Sequence, residues 1–147
     1  MYFNKQIREP KWKSWIIQTN TPLFTPEQCR EIINIGRSQP PQNAQVGMNK
    51  PGGGVDTNKR VTTISWIPFN SAGPMYDKLD TFIQAANLNH FGFDNVRITE
   101  QAQFTEYPVG GFYDWHMDAD TMMAHEPPVR KISMTLLLKY IILLDSL

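Results

Sequence analysis

Residues 107–118 constrain the fold of this chain more than any other segment. They join Tyr107, through a Gly-Gly turn at 110–111, to the pair His116 and Asp118. In an extended chain successive side chains point to opposite faces, so His116 and Asp118 project from one face, roughly 6 to 7 Å apart. The turn predicts that Tyr107 and His116 lie on neighbouring strands. The segment therefore predicts a β-rich site in which one imidazole and one carboxylate can bind a single metal ion.

The pair of His116 and Asp118 supplies two of the three ligands in a common metal-binding arrangement. One more histidine completes the facial triad that binds non-haem Fe(II) and leaves other coordination positions open. A His-x-Asp pair also occurs as a simple hydrogen-bonded couple on a sheet, so the pair alone leaves both interpretations open. A calcium site is a further alternative, because Asp114 and Asp120 continue the same alternating face. The EF-hand pattern fails, since the glycine and terminal glutamate that it requires are missing from this loop.

Three other motifs have plainer interpretations. The sequence His-Glu-Pro-Pro at 125–128 begins like a zinc-protease motif, but its prolines exclude the helix and a second histidine is missing. The glycines at 52–54 lack the spacing of a phosphate-binding loop and are typical of a flexible hinge or lid. His90 lies in an aromatic turn, which indicates a packed or surface histidine rather than a ligand.

The composition is that of one globular domain covering residues 1–147. Hydrophobic residues make up 41% of the chain and charged residues 19%, which is sufficient for a single core. Basic and acidic residues number 14 each, so no bulk field draws the protein to nucleic acid or to an anionic membrane. A partner of either kind is not expected.

Cysteine usage and the terminal segments indicate a cytoplasmic protein. Cys29 is the only cysteine, so no internal disulfide forms, as is usual in a reducing compartment. Residues 1–10 lack the apolar core and cleavage site of a secretory signal. The apolar run at 132–144 is interrupted by Lys139 and is shorter than the ~20 residues of a membrane-spanning helix. It predicts a buried strand followed by an unpaired extension.

Helix and strand signals alternate along the chain. Thr25, Pro26 and Gln28 have the spacing of a capping box, which predicts a helix that ends before the prolines at 40–41. A second helix is predicted at 74–86. The stripes that should face the core are Cys29, Ile32, Ile33 and Gly36 in the first helix and Met75, Leu79, Phe82, Ile83 and Ala86 in the second. Strands are predicted at 12–18, 61–69 and 96–107, and a glycine-rich surface loop at 47–60.

The predicted strand at 96–107 has two different faces. Val96, Ile98, Ala102 and Phe104 form an apolar face, whereas the opposite face is polar and ends at Tyr107. A polar face on an interior strand predicts a lined pocket.

Several segments together carry a resemblance to one known family. They are residues 29–36, 44–47, 55–60, 64–67, 86–87, 91–94, 103–107, 111–118 and 130–133. In this order they resemble the prolyl-4-hydroxylase-like branch of the Fe(II)/2-oxoglutarate dioxygenases. The resemblance implies an α+β fold, namely the N-terminal part of a double-stranded β-helix (jelly roll) with two flanking helices, incomplete at the C-terminus.

The resemblance also implies roles for individual residues. His116 and Asp118 match the first two iron ligands, and Tyr107 matches the tyrosine whose hydroxyl bonds a carboxylate of the cosubstrate 2-oxoglutarate. Tyr113 and Arg130 resemble positions that face the substrate. For each of these three residues an interpretation without a functional role remains open. In it, Tyr107 is a half-buried strand tyrosine, and Tyr113 and Arg130 are structural or solvated residues. The implied reaction is hydroxylation of a prolyl or other C–H bond of a protein or small molecule, with O2 as oxidant and ascorbate as reductant.

The sequence departs from the family after Leu138. Relatives carry a second histidine and then a lysine or arginine that pairs with the far carboxylate of 2-oxoglutarate, and neither has a counterpart here. The only histidine after Asp118 is His125, in its proline-flanked loop. We therefore expect a truncated domain that is impaired alone. The alternative is a non-catalytic β-rich binding or assembly module that self-associates through open strand edges. In the enzyme, the loop at 47–60 is a candidate lid.

Overall fold

The computed structural model describes residues 14–43, 58, 60–116, 118 and 129–138. Within them the fold is mixed α/β, with two helices and a small antiparallel sheet. In chain order the elements are α1 (Pro26–Ser38), β1 (Gln42–Asn43), β2 (Thr63–Ile67), a 3₁₀ turn (Phe69–Ser71), α2 (Gly73–Ala86), a π-helical turn (Asn87–Phe91) and β3 (Ala102–Glu106). Apart from residues 58 and 60, the predicted loop at 47–60 lies outside the described residues.

Helix α1 begins as the sequence predicts. The Thr25 hydroxyl accepts a hydrogen bond from the Gln28 N–H at 3.3 Å, and the Gln28 side chain accepts one from the Thr25 N–H at 3.0 Å. These reciprocal bonds satisfy amides that the first helical turn leaves without partners. Ile32 and Gly36 are buried on the predicted stripe, which confirms the face that packs against the sheet.

Strand β2 lies at the centre of the sheet and pairs antiparallel with both neighbours. Thr63 pairs with Glu106 and Ile67 with Ala102, while Ile64 pairs with Gln42 of β1. The strand predicted at 61–69 is confirmed over its five central residues. The strand predicted at 96–107 is regular only in β3, because β2 ends at Ile67, before a proline, and leaves residues 96–101 without a ladder partner.

The strand predicted at 12–18 is absent from the part of it that the structure describes. Residues 14–18 form no regular element, and Trp15 and Ile16 are exposed. One backbone bond, from the Ser14 N–H to the His90 carbonyl at 3.2 Å, ties this segment to the π-helical turn. The apolar sequence favours a strand, but a strand also needs a neighbour with free backbone groups.

The core lies between the two helices and the sheet, and Tyr76 of α2 links its parts. The Tyr76 hydroxyl donates to the Ile67 carbonyl at 2.6 Å and accepts from the Ala102 N–H at 2.7 Å, so one side chain closes the ends of β2 and β3. The buried cluster consists of Phe24, Ile32, Ile67, Ala72, Met75, Tyr76 and Leu79. Sequence periodicity predicted Met75 and Leu79 but not Tyr76.

Alkaline pH should destabilise this fold through Tyr76. Burial raises the pKa of its hydroxyl above the usual value of about 10, and the hydrogen bond from Ala102 offsets only part of that shift. The folded chain thus holds this proton more tightly than the unfolded chain. The stabilisation is fully present below about pH 10 and is lost as the pH rises through the folded pKa. Urea unfolding on both sides of pH 10 should show a steeper loss of stability for the native chain than for Tyr76→Phe.

A second tyrosine provides the control for this measurement. Tyr107 is exposed, so Tyr107→Phe should follow the native chain across the same pH range. Identical pH dependence of the native chain and Tyr76→Phe would contradict the assignment of the alkaline loss to Tyr76.

Residues 131–138 are extended, and every second side chain turns inward. Met134, Leu136 and Leu138 pack against the core, whereas Leu137 is exposed. The sequence predicted a buried strand and then an unpaired extension at 132–144, and the strand is wrong in one respect: within the described residues this segment belongs to no strand of the sheet. Its remaining residues, 139–144, lie outside the described part. In the described ranges we find no helix whose length and apolar character would suit a membrane span.

Candidate metal centre

The candidate site is preceded by a loop at 107–111, which interrupts the antiparallel pairing between the segment of β3 and that of β2. The last regular pair joins Thr63 to Glu106, and the ladder resumes where the Val61 N–H donates to the Phe112 carbonyl at 2.8 Å. Arg60 then bridges to Tyr113. The predicted hairpin is wrong here. The residues before the loop pair with 63–67, and those after it pair with 60–61, so both lie along the same edge of one segment. Tyr107 and His116 therefore do not lie on neighbouring strands.

The backbone conformations of two glycines explain why the chain can form this loop. Gly110 has φ of 76°, in the left-handed region that favours glycine. At Gly111 an added Cβ would lie 2.8 Å from the Val61 carbonyl oxygen, and the Gly111 N–H donates to the Pro108 carbonyl at 2.7 Å. The turn signal at 110–111 was therefore correct, although it produces a loop within one edge and not a hairpin.

His116 and Asp118, hereafter the dyad, approach each other beyond this loop. His116 Nε2 lies 3.2 Å from Asp118 Oδ1, and their side chains are 38% and 51% exposed. The other imidazole nitrogen, Nδ1, lies 2.8 Å from the Asp114 carbonyl oxygen. A carbonyl only accepts, so Nδ1 carries a proton. In the neutral ring the Nε2 lone pair then faces the carboxylate, and in the charged ring the Nε2–H donates to it.

A contact of 3.2 Å between Nε2 and a carboxylate oxygen has two chemical explanations. A proton shared in an ion pair is one solution, and a metal ion is the other. Two ligand atoms that each bind an ion at about 2.1 Å, at right angles, lie about 3.0 Å apart. The Nε2–Oδ1 separation of 3.2 Å in the dyad is close to that spacing. The Nδ1–H bond to a carbonyl is also the support that metal-binding histidines usually have.

Tyr113 stacks on the imidazole of the dyad. The two ring centroids lie 3.6 Å apart with planes 15° from parallel. The guanidinium carbon of Arg60 lies 4.3 Å from the same tyrosine centroid. Arg60 is 7% exposed and donates to Gln103 Oε1 at 3.0 Å and to Thr62 Oγ1 at 3.1 Å. The polar face of β3, predicted to line a pocket, here holds a buried arginine.

Arg130 contacts the backbone of the dyad. Its guanidinium forms two bonds to the Glu100 carboxylate, at 2.5 and 3.2 Å, and donates a third to the Asp118 carbonyl oxygen. A planar guanidinium suits such a forked contact. Arg130 therefore ties the segment at 129–138 to the loop that carries Asp118. Sequence reasoning missed Glu100, whose only signal is its place just before β3.

Tyr107 lies one residue beyond β3, and its side chain is half exposed. Among the described residues, no hydrogen bond or ring contact joins it to the dyad. Its predicted role toward 2-oxoglutarate stays a prediction, as do the substrate-facing roles of Tyr113 and Arg130.

A third ligand for the dyad is not found in the described part of the chain. No group of three or more His, Cys, Asp or Glu side chains there is arranged to hold a metal ion. Asp120 and His125, considered as ligands from the sequence, lie outside the described residues. Sequence reasoning also missed Arg60 as a neighbour of this site. Compared with protein-family models, with curated proteins and with solved structures, the chain finds no match.

Proposed function

We propose that this chain carries the metal centre of an Fe(II)- and 2-oxoglutarate-dependent dioxygenase of the prolyl-4-hydroxylase-like kind. The observation that carries the proposal is the 3.2 Å approach of His116 Nε2 to Asp118 Oδ1, with Nδ1 occupied by the Asp114 carbonyl. The resemblance in sequence supplies the chemistry, since Tyr107, His116 and Asp118 match the cosubstrate tyrosine and the first two iron ligands of that family. We further propose that β2 and β3 belong to a double-stranded β-helix.

Each residue of the site has a proposed task. His116 and Asp118 hold the ion, the Asp114 carbonyl fixes the imidazole tautomer, and Arg130 holds the Asp118 backbone. The half-exposed Tyr107 hydroxyl is open to hydrogen-bond a carboxylate of 2-oxoglutarate. When bound, Fe(II) together with O2 and 2-oxoglutarate supplies the oxidising power for hydroxylating a C–H bond. Ascorbate is the proposed reductant that keeps the iron ferrous.

The proposed substrate is a prolyl or other C–H group of a protein or small molecule, and Tyr113 and Arg130 are its proposed neighbours. Arg130 reaches a substrate only by leaving Glu100, since both carboxylate oxygens of Glu100 engage it. With two protein ligands, and no cation assigned to the far carboxylate of 2-oxoglutarate, we expect weak metal binding and slow turnover. A reducing cytoplasm suits both ferrous iron and the free Cys29.

Metal titration tests the proposal directly. Mn(II), which resists oxidation and is visible by electron paramagnetic resonance, should bind the native chain. His116→Ala and Asp118→Ala should each weaken binding by more than about 10-fold, because each removes one of two protein ligands. His90→Ala is the matched control and should bind as the native chain does. Equal binding by the native chain and the His116→Ala/Asp118→Ala double variant would exclude the dyad as the metal site.

A second measurement separates a dioxygenase from a simple metal-binding protein. Under anaerobic conditions, 2-oxoglutarate added to the Fe(II)-loaded chain should produce the charge-transfer absorption of a chelated 2-oxo acid. In air, succinate should be released slowly and only while His116 is present. Metal binding without that absorption would leave a metal site but refute the 2-oxoglutarate assignment.

A non-catalytic assembly module is the alternative, and one observation favours it. Residues 131–138 are extended, yet their backbone belongs to no ladder within the described ranges. Such a backbone can add to the sheet edge of a second copy. Sedimentation of the native chain and the double alanine variant decides between the two. Equal, metal-independent self-association of both, without Mn(II) binding, would favour the module.

A further inference from the structure

We propose that Arg60 is a positioning residue that holds the imidazole of His116 through the ring of Tyr113. The inference rests on the proposed metal function and extends it to a residue outside the dyad. The Arg60 guanidinium carbon is 4.3 Å from the Tyr113 centroid, and the His116 ring, whose plane lies 15° from that of Tyr113, is 3.6 Å from the same point. Two groups this close to one centroid cannot share a face, so Tyr113 lies between them.

Arg60 provides a fixed end for this stack. Its side chain is 7% exposed, which is unusual for a charged residue, and two hydrogen bonds to Thr62 and Gln103 set the plane of the guanidinium. The backbone of Arg60 also bridges to that of Tyr113. The guanidinium is therefore tied to Gln103 of β3, and the backbone that carries Tyr113 is paired with that of Arg60.

The other end of the stack lacks such support. His116 belongs to no strand, and more than a third of its side chain is exposed. Besides its contact with Asp118, the imidazole has one hydrogen bond, to the Asp114 carbonyl, and the ring can rotate about that bond. Stacking on Tyr113 restricts the swing and keeps Nε2 facing Asp118. A cation on the far face of Tyr113 holds that ring in turn by cation–π attraction.

Positioning and simple electrostatics predict opposite effects of removing Arg60. A positive charge near a metal site repels the ion, so loss of that charge alone would strengthen Mn(II) binding. Loss of the stack would release the imidazole and weaken binding. Supporting residues behind metal ligands typically change affinity by about 10- to 100-fold. The sign of the change therefore separates the two explanations.

Four variants test the stack in the full chain. Arg60→Met and Tyr113→Leu should weaken Mn(II) binding about 10-fold, whereas Tyr113→Phe, which keeps the aromatic face, should bind like the native chain. Arg60→Lys keeps the charge without the planar fork, and we expect an intermediate loss. Arg30→Met is the matched control, because Arg30 makes an exposed pair with Glu27 at 2.7 Å on α1, with no contact to the dyad. Thermal melts show whether each variant is folded.

A metal-free readout keeps this inference separate from the proposed function. In the NMR spectrum of the native chain, the ring current of Tyr113 should shift the His116 ring protons upfield. That shift should persist in Tyr113→Phe and disappear in Tyr113→Leu. It should decrease in Arg60→Met, and Arg60→Lys takes the place of that variant if the methionine variant does not fold. An unchanged shift in a folded Arg60 variant, or stronger Mn(II) binding by it, would overturn the inference. If the native chain binds no Mn(II) while the shift depends on Arg60, the proposed function fails and the positioning of the ring stands.

Discussion

Replacing Ile67 by alanine should lower the free energy of unfolding by about 2 to 5 kcal/mol. Ile67 is the least exposed large side chain of the core, at 2%, and it packs between the sheet and the helices. Truncation removes apolar contacts and leaves a cavity that rigid neighbours fill only in part. The melting temperature should fall by about 5 to 15 °C. Urea unfolding followed by circular dichroism measures the change.

An exposed isoleucine provides the matched control. Ile16 is 85% exposed, so Ile16→Ala deletes the same atoms and should change the free energy of unfolding by less than about 0.5 kcal/mol. Similar losses in the two variants would mean that the core does not surround Ile67 as described.

The second large effect is expected at Gly36, where α1 meets the sheet. A Cβ at this position would lie 2.4 to 2.7 Å from three atoms of the Phe104 ring. Alanine is the better helix former by about 1 kcal/mol, but the overlap with an aromatic ring in β3 outweighs that gain. We expect Gly36→Ala to lower the free energy of unfolding by about 1 to 3 kcal/mol. Denaturant unfolding at neutral pH measures it.

Gly73 offers the same substitution without the overlap. At the start of α2 an added Cβ meets nothing within 4 Å, so Gly73→Ala should be neutral or stabilising by up to about 1 kcal/mol. Opposite signs for the two glycines would support the packing described at Gly36. A stabilised Gly36→Ala variant would instead show that helix propensity dominates and that α1 lies farther from Phe104.

The elements that the sequence predicted are those whose signals are local. The capping box at Thr25 and Gln28 needs only four consecutive residues, and it forms as predicted. The apolar stripe of α2 likewise follows from helical spacing at Met75, Leu79 and Ala86, whereas Phe82 and Ile83 of the predicted stripe are only partly buried. Strand β2 was predicted from the β-branched and aromatic residues of its segment, and three of its five residues are buried. In each of these elements the chain carries within a few residues the information that fixes its conformation.

The predictions that failed depend on partners distant in sequence. Residues 14–18 have a strand-like sequence, but within the described part they have no neighbouring strand. The turn at 110–111 was located correctly, yet only its tertiary setting decides that the chain returns to the segment at Arg60. Tyr76 was not predicted because its two hydrogen bonds join strands that the sequence does not show to be adjacent.

In the candidate site, too, local sequence predicted some features, whereas others depend on residues distant in sequence. The spacing of His116 and Asp118 predicted that the two side chains would share one side, and they approach each other in the structure. The prediction placed His116 on a strand, but in the structure His116 lies outside regular strands, and its ring is oriented by Asp114 and Tyr113. Arg60 stands more than fifty residues before the dyad, so no local pattern could assign it to this site. The roles of Tyr107, Tyr113 and Arg130 toward cosubstrate and substrate remain predictions.

The segment at 131–138 is only weakly fixed in its alignment with the sheet. Its inward side chains, Met134, Leu136 and Leu138, are similar in size, and within the described ranges no ladder bond fixes their alignment with the sheet. A slip by two residues would return side chains of the same kind to the same face. Among the inward side chains, alignment therefore depends on shape, and methionine, the most adaptable of the three, discriminates weakly between alternatives. Among the described residues, the ion pair of Arg130 with Glu100 at the start of the segment is a specific polar contact that selects one register.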